Sequence, residues 1–517
     1  MKRRSFLKYS SLLSTPFIVG GIPVASIARN SMLNLVNEES DRVLVLIQLN
    51  GGNDGLSMLT PLNSYDALAN VRSNIILPQN KLLGIDNNLA LHTEMTGMKS
   101  MYDDAKVNVI QNVGYPEQNR SHFRSTDIWN SGSSANEFLQ TGWIGRYLDT
   151  QFPGYPSDYP SPEYQDPFAL TIGSIVSETC QGFAGNFSMA LADPTNVTQL
   201  NTPTNNELVS GCGADQLGFL VNEIEKTNEY GDRIKEAYEL GNNLSSQYDD
   251  ENRLSAQLKT VARLISGGLA SKFYVVSLGG FDTHANQTED SDPSVGIHAG
   301  LLKTLSDAIA AFQDDVSKLG LEDRVLGMTY SEFGRRIRSN DSYGTDHGDA
   351  APLIVFGNCV NAGVVGTNPE ITTDVGGNDG INMETDFRNI YGSVLMDWFD
   401  VEESTVKDMF HDEFSYIPIA STCAAPSAVE DIIGSKKLTA YPNPISDVFT
   451  IEFETETSYQ RISLHDGLGR EIQVVSNRKF ESASHQLRID MRSYPSGNYF
   501  VRMLGSNGTR SVKVVKI

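Results

Sequence analysis

The sequence predicts an α/β protein, a three-layer domain on a mainly parallel sheet followed by a small all-β sandwich. Near-continuous apolar runs rich in β-branched residues recur through most of the chain, the pattern of strands buried on both faces. Amphipathic stretches of helical period lie between them, so strand and helix alternate. From about residue 437 the pattern changes to short runs of period two separated by turn residues.

In chain order, the first element is an export signal. Lys2-Arg3-Arg4-Ser5-Phe6-Leu7-Lys8 precedes a modestly apolar stretch over residues 11–27. Paired arginines ahead of a weak hydrophobic region match a twin-arginine signal peptide, assigned to residues 1–30. That stretch is broken by Ser, Pro and Gly and is too short to span a bilayer comfortably; an uncleaved anchor is the alternative. Such a signal implies the twin-arginine translocase as a partner, with the folded chain free to take up metal before export. No other segment is apolar enough to cross a bilayer, so no transmembrane segment is expected in the mature chain.

The α/β domain is assigned to residues 31–430. Its strand candidates are the runs 43–49, 107–110, 273–278, 324–330 and 353–356. Helical patterns cover 217–238, 252–266, 295–319 and 390–399, and the Pro- and Tyr-rich stretch 152–167 reads as an irregular insertion. The β-sandwich is assigned to residues 431–517, with strands expected near 449–453, 461–464, 487–490, 498–502 and 511–517.

A chain of 517 residues exceeds one ordinary core, and its 39% hydrophobic and 20% charged residues are those of a soluble globular protein. A net charge of −24, from 40 basic and 64 acidic residues, argues against a nucleic-acid partner, because phosphate binding needs clustered Lys and Arg. The cysteines, Cys180, Cys212, Cys359 and Cys423, show no CxxC spacing, so a thiolate zinc site is not expected. Cys180 and Cys212 could be bridged after export.

Acids and histidines follow several of the expected strands, the edge at which open parallel sheets bind ligands. Asp54 ends the first, in Asn50-Gly51-Gly52-Asn53-Asp54-Gly55, a natural hard-metal ligand or a simple turn; the similar string at 376–380 reads as a loop. Arg120, Ser121 and His122 follow the second. Ser121 at a helix start is either an N-cap or a nucleophile facing helix-end amides and Arg120. Asp282 and His284 follow the third and can both turn toward one ion, or the aspartate can orient its neighbour. Glu332 and Arg335, then Asp346 and His347, follow the fourth.

The tail resembles the type IX secretion sorting domain of Bacteroidota. Tyr441-Pro442-Asn443-Pro444, Asp466-Gly467-Leu468-Gly469-Arg470, Leu487-Arg488-Ile489-Asp490 and Tyr494-Pro495-Ser496-Gly497-Asn498-Tyr499-Phe500 carry the resemblance. It implies the type IX secretion machinery as a partner, with passage through the periplasm and then secretion or attachment to the outer cell surface. A generic carbohydrate-binding or adhesion sandwich is the alternative.

Residues 42–400 resemble the domain-of-unknown-function family fifteen-oh-one, itself similar to the alkaline phosphatase and sulfatase superfamily. The motifs are Gly51-Gly52-Asn53-Asp54-Gly55-Leu56, Leu91-His92, Arg120-Ser121-His122-Phe123, Thr141-Gly142-Trp143-Ile144-Gly145-Arg146, Gly279-Gly280-Phe281-Asp282-Thr283-His284, Ser331-Glu332-Phe333-Gly334-Arg335, Asp346-His347-Gly348 and Thr385-Asp386-Phe387-Arg388. The superfamily resemblance implies an alkaline-phosphatase-like domain holding one or two divalent ions, with zinc, manganese or calcium each suited to carboxylate-plus-His ligands. It makes Ser121 the nucleophile, Asp54, Asp282, His284, Glu332, Asp346 and His347 metal ligands, and Arg120 or Arg335 the group that offsets charge on the ester; His122 joins the catalytic set. Ser331-Glu332 in place of the usual Asp-His pair, and the short 282–284 spacing, depart from phosphatases and leave the number of metals open.

The expected function is an exported metal-dependent hydrolase of phosphate or sulfate esters. The alternatives are a non-catalytic surface or secreted protein that binds polysaccharide or an envelope partner, and an accessory factor for a co-exported protein.

Overall fold

A computed structural model describes residues 41–194, 227–372, 374–421, 423, 438–455, 458–465, 471–505 and 508–516, with two short paired strands, Ile18–Val19 and Ile22–Pro23. The twin-arginine motif, Cys212, residues 217–226 and residues 466–470 lie outside the described residues. The chain divides into two compact units, Met1–Cys423 and Ala424–Ile517.

The first unit is built on a nine-stranded sheet. Its strands are Val43–Asn50 (β1), Val107–Gly114 (β2), Ala169–Ile172 (β3), Ser188–Leu191 (β4), Phe273–Gly279 (β5), Val325–Tyr330 (β6), Ala351–Phe356 (β7), Gly363–Val365 (β8) and Thr385–Asp386 (β9). They lie in the order β8-β2-β7-β6-β1-β5-β3-β4, with β9 also paired to β2. The helices are Thr96–Asp103 (α1), His122–Ser131 (α2), Trp143–Gln151 (α3), Arg253–Ser266 (α4), Ile297–Lys318 (α5) and Phe387–Phe399 (α6).

The side chains of β1 explain the three layers. Val43, Val45, Ile47 and Leu49 enter the core packed by α1, α4 and α5, and Leu44 and Leu46 enter the core packed by α2, α3 and α6. Alternate residues point to opposite faces, so a strand covered on both must be apolar at nearly every position. The insertion near 152–167 is irregular as expected, and its Phe152, Tyr155, Tyr159 and Tyr164 rings pack with Phe168 against the sheet's helical layer.

One strand departs from the parallel expectation. β1, β5 and β6 are mutually parallel, but β7 runs antiparallel to both β6 and β2. The start of β7 therefore meets the edge where β1, β2, β5 and β6 end. That reversal brings the loop carrying Asp346 and His347 to the loops that follow the parallel strands.

The disulfide also falls elsewhere than the Cys180–Cys212 pairing allowed by the sequence. Cys359 and Cys423 are bridged, with Cα atoms 5.2 Å apart. Cys180 is free and fully buried in the α2/α3 core, where burial pushes its thiol up to about 12.

The second unit has a three-stranded sheet, Leu438–Tyr441, Val448–Thr455 and Ala483–Asp490, and a four-stranded one, Glu471–Phe480, Ser458–His465, Gly497–Gly505 and Gly508–Lys516. Phe449, Ile451, Phe453 and Ile489 of the first share one core with Ile462, Leu464, Val501, Met503 and Val514 of the second. That is a sandwich: the inward positions of each strand fill the space between the sheets. Leu438–Tyr441 and Glu471–Phe480 are strands that the period-two pattern does not mark.

Candidate metal centre

Three histidine rings converge on one aspartate at the shared sheet edge. Asp282 follows β5, and its Oδ1 lies 3.1 Å from His284 Nε2 and 3.2 Å from His347 Nε2. Its Oδ2 lies 3.5 Å from His122 Nε2. Ligand atoms of His122, Asp282 and His347 fall within 4.8 Å of one another, and His284 Nε2 is 2.9 Å from His347 Nε2. Donors bound to a common ion at about 2.0–2.1 Å sit roughly 3 Å apart, so this spacing fits a shared cation.

The other ring nitrogen of each histidine is held by an acceptor. His122 Nδ1 is 2.8 Å from Glu332 Oε1, His284 Nδ1 is 3.0 Å from Asp346 Oδ1, and His347 Nδ1 is 2.8 Å from the Arg120 carbonyl oxygen. A carbonyl or an ionised carboxylate can only accept, so each Nδ1 carries the proton and donates it. Nε2 of each ring then faces the Asp282 carboxylate. Histidine ligands to metal ions are commonly oriented in this way. The His122 Nε2 atom is buried and has no hydrogen-bond partner.

The carboxylate at the centre is firmly ionised. Burial pushes Asp282 up, but Arg335, by its hydrogen bond and its charge, leads the groups that outweigh it and hold the carboxyl at about 2. The same balance lowers Asp346, where burial is outweighed by the bonds from His284 and Asn340. Burial pulls the His347 imidazole below its usual range. The Phe333 ring, which the sequence reading did not single out, walls the cluster at 4.9 Å from the His122 ring and 4.6 Å from the His347 ring.

Four of the expected roles change in this geometry. Glu332 is buried and accepts from the Gly51 amide at 2.8 Å as well as from His122, so it orients a histidine from behind. Asp346 stands behind His284 in the same way and also takes Arg336 at 3.1 Å. Asp54 is fully buried and already occupied: Arg72 Nη1 lies at 2.9 Å, Ser57 Oγ at 2.6 Å and Gln287 Nε2 at 2.6 Å. Burial pushes Asp54 up, but Arg72 and His298 more than offset it and leave the group at about 2. A guanidinium fills the place where the sequence suggested an ion.

Arg335 is the fourth. Its guanidinium donates to the carbonyls of Gly51, Gly52, Phe281 and Thr345 and to Asp282 Oδ1, and its side chain is fully buried, so it is turned to the protein and not to a substrate. Arg120 is better exposed, but its Nε and Nη2 close a bidentate pair with Asp349 at 2.8 and 2.6 Å. Gly51 shows how tightly these loops approach: its φ is +122°, and a Cβ there would lie 2.3 Å from the Asp282 amide nitrogen. Only glycine fits such a contact at that dihedral.

Ser121 occupies the N-cap of α2 and is exposed, yet its side chain makes no capping hydrogen bond. Its amide donates to Asn119 Oδ1 at 2.9 Å. The hydroxyl is thus presented to solvent at the positive end of α2, one residue before His122.

A family model described as a protein of unknown function, DUF1501, matches residues 41–398, and one described as a secretion system C-terminal sorting domain matches residues 439–517. No curated protein sequence matches the chain. Among solved structures, the chain is similar to dimeric latent PorU from Porphyromonas gingivalis, at 16% identity over 17% of this chain and 10% of that one, with a TM-score of 0.14. A protein in the alkaline phosphatase superfamily from Vibrio parahaemolyticus shows 11% identity over 81% of this chain and 76% of that one, TM-score 0.29. PsFucS1 sulfatase from Pseudoalteromonas sp. shows 10% identity over 93% and 91%, TM-score 0.32. Likenesses of this size carry no argument about chemistry.

Proposed function

Since the chain belongs to the DUF1501 family, whose description assigns no activity, we propose its function from the site itself: an exported, metal-dependent hydrolase of phosphate or sulfate esters with Ser121 as nucleophile. Residues 439–517 are a type IX sorting domain, which implies export through that machinery to the outside or the outer surface. Among the described residues no helix is long and apolar enough to cross a membrane. Twin-arginine export through the periplasm is the proposed first step.

One observation supports the metal most directly. The Nε2 atoms of three imidazoles and an ionised carboxylate face one another, with His284 and His347 Nε2 only 2.9 Å apart. Such a cluster holds together only with a proton or a metal ion among its donors, and four converging donors suit the metal. The orphaned His122 Nε2 points to the same missing partner. His122, Asp282, His284 and His347 would hold the ion, and this imidazole-rich set suits zinc or another transition metal better than calcium, which takes six to eight oxygens. The ion would act as a Lewis acid on the ester and favour the ionised hydroxyl.

The chain's own residues supply the rest. Ser121 Oγ attacks phosphorus or sulfur in line, its proton passes to solvent at the exposed edge, and the ester's alcohol leaves protonated; water then cleaves the seryl ester. The N-terminus of α2 faces the developing negative charge. Arg335 positions Asp282, and Glu332, Asp346 and the Arg120 carbonyl fix the ring orientations.

The test is elemental mass spectrometry of the full chain after dialysis against zinc and manganese, with turnover of p-nitrophenyl phosphate and sulfate. Near-stoichiometric metal is expected, lost in a His284→Ala/His347→Ala variant. Ser121→Ala should keep the metal and lose turnover. A folded wild type that retains no metal overturns the proposal, and metal without turnover of either ester favours a binding protein.

A further inference from the structure

The loop that carries His284 runs on past the metal centre. Two residues later the Asn286 amide donates to the Ser342 carbonyl at 2.9 Å, and the Gln287 amide to the Tyr343 carbonyl at 2.8 Å. Asn340 Nδ2 also donates to the His284 carbonyl at 2.9 Å. The segments that carry His284 and His347 are thus paired beyond the ligands, and both line a cleft of about 890 Å³. Its walls include Asn286, Thr288, Glu289, Asp290, Gly296 and Tyr343. Chain reach, at most about 3.6 Å per residue, puts Asn286 within about 7 Å of His284 and Tyr343 within about 11 Å of Asp346, Cα to Cα. The volume falls in the range of roughly 300–1,000 Å³ typical of small-molecule sites.

Asn286 and Tyr343 hold φ values of +53° and +56°, a left-handed conformation that residues other than glycine rarely adopt and that clusters at ligand clamps. Thr288 is 6% exposed, and its buried Oγ1 has no hydrogen-bond partner. The charged lining is Glu289 and Asp290, with no Lys, Arg or His among the described residues that line the cleft. The Tyr343 hydroxyl donates to Asp290 Oδ1, which leaves Oδ2. Glu289 is exposed, and its carboxylate makes no hydrogen bond or ion pair among the described residues. Neighbouring positive charge is already engaged. Lys81 is held by Asp292 and Ser294, and the Ile297 and His298 amides at the start of α5 donate to the carbonyls of Asn286 and Gln287.

We propose that this cleft is the subsite for a primary ammonium group carried by the alcohol portion of the substrate; the assignment rests on the ester-hydrolase reading above. A primary ammonium has three N–H donors and no acceptor. Glu289, the second Asp290 oxygen and Thr288 Oγ1 are three acceptors that the protein leaves open. The two carboxylates would repel a further sulfate or phosphate. A calcium ion takes six to eight oxygens at about 2.3–2.6 Å, far less room than this cleft gives. An amino-alcohol monoester, with its anion at the metal and its cation in the cleft, fits both halves of the site.

Isothermal titration calorimetry of the full chain at pH 7 and low salt, with ethanolamine, choline and n-propanol, tests this. Ethanolamine should bind, n-propanol, which lacks the charge, should not, and choline, which lacks the N–H groups, should bind more weakly. Glu289→Gln, at an exposed position, should weaken ethanolamine roughly tenfold, the scale of one hydrogen bond to a charged group, with metal content unchanged. Thr288→Val removes only the unpartnered hydroxyl and should weaken it too. In the metal-loaded protein, kcat/KM for O-phosphoethanolamine should exceed that for n-propyl phosphate by a similar factor. Absence of ethanolamine binding overturns the subsite, as does binding unchanged in both variants or equal binding of choline. Equal kcat/KM for the two esters in an active protein also overturns it. Failure of the hydrolase reading shows separately, as a wild type without metal or turnover; ethanolamine binding that persists there and depends on Glu289 still supports the ammonium cleft.

Discussion

Arg335 holds together loops that belong to three different strands. Its guanidinium ties Gly51 and Gly52 after β1, Phe281 and Asp282 after β5, and Thr345 ahead of β7. Replacing it by Met strands those acceptors and leaves Asp282 without its main counter-charge. The cost should be about 3–5 kcal/mol, read from urea unfolding, with metal content falling in parallel. Glu332→Gln is subtler. It can still accept from the Gly51 amide but holds the His122 tautomer less firmly, so metal affinity should drop roughly 10–100-fold in a chelator competition. An unchanged affinity would remove Glu332 from the support of the site.

At the scale of elements, the two helix starts make a controlled contrast. Asn252 caps α4, its Oδ1 accepting from the amides of Leu254 and Ser255 at 3.0 Å each. Ser121 stands at the same position of α2 with no such bond. Asn252→Ala should therefore cost about 1 kcal/mol, and Ser121→Ala less than about 0.5 kcal/mol, in the same denaturant titration. A large loss at Ser121 would mean that the hydroxyl is structural after all. The cap rule explains why sequence alone left that serine open: residue type fixes the position, but whether the oxygen turns inward is decided by neighbours such as Asn119.

For the whole molecule, the Cys359–Cys423 bridge closes a separation of 64 residues and fastens the end of the first unit beneath α6 and β7. Chain-entropy reasoning gives such a loop about 4 kcal/mol, so Cys423→Ser should lower the melting temperature markedly, and reductant should do the same to the wild type. Acid should also destabilise the protein. Burial, aided by nearby positive charge, pulls His92 down to about 3 and His298 to about 4. Their unfolded values lie near 6.5, so below that pH the unfolded chain binds protons that the folded chain refuses. Stability should fall as pH drops from about 6.5 toward 4, by roughly 2–3 kcal/mol for each histidine at pH 4.5. Asp54, held at about 2, extends the loss below about pH 4, since its folded-state advantage disappears as it protonates. Urea midpoints at pH 7, 5.5 and 4.5 measure the slope, and a His298→Asn variant should flatten it.

Local pattern marked the five long strands β1, β2, β5, β6 and β7, the helices α2, α4, α5 and α6 and most of the period-two tail, because a buried strand must be apolar on both faces and a sandwich strand on one; the short strands β3, β4, β8 and β9 and the helices α1 and α3 carry too few residues to show a period. It also placed the chemistry-bearing residues at strand ends. Which of them meet is settled by the packing of the strands. Asp54 and Asp282 read alike in the chain, but one lies beside Arg72 and the other among three histidines. Glu332 and Asp346 read as ligands and stand behind the rings, and His347 arrives only because β7 runs against its neighbours. Strand direction and long-range charge partners are set by contacts hundreds of residues apart, and local pattern carries no record of them.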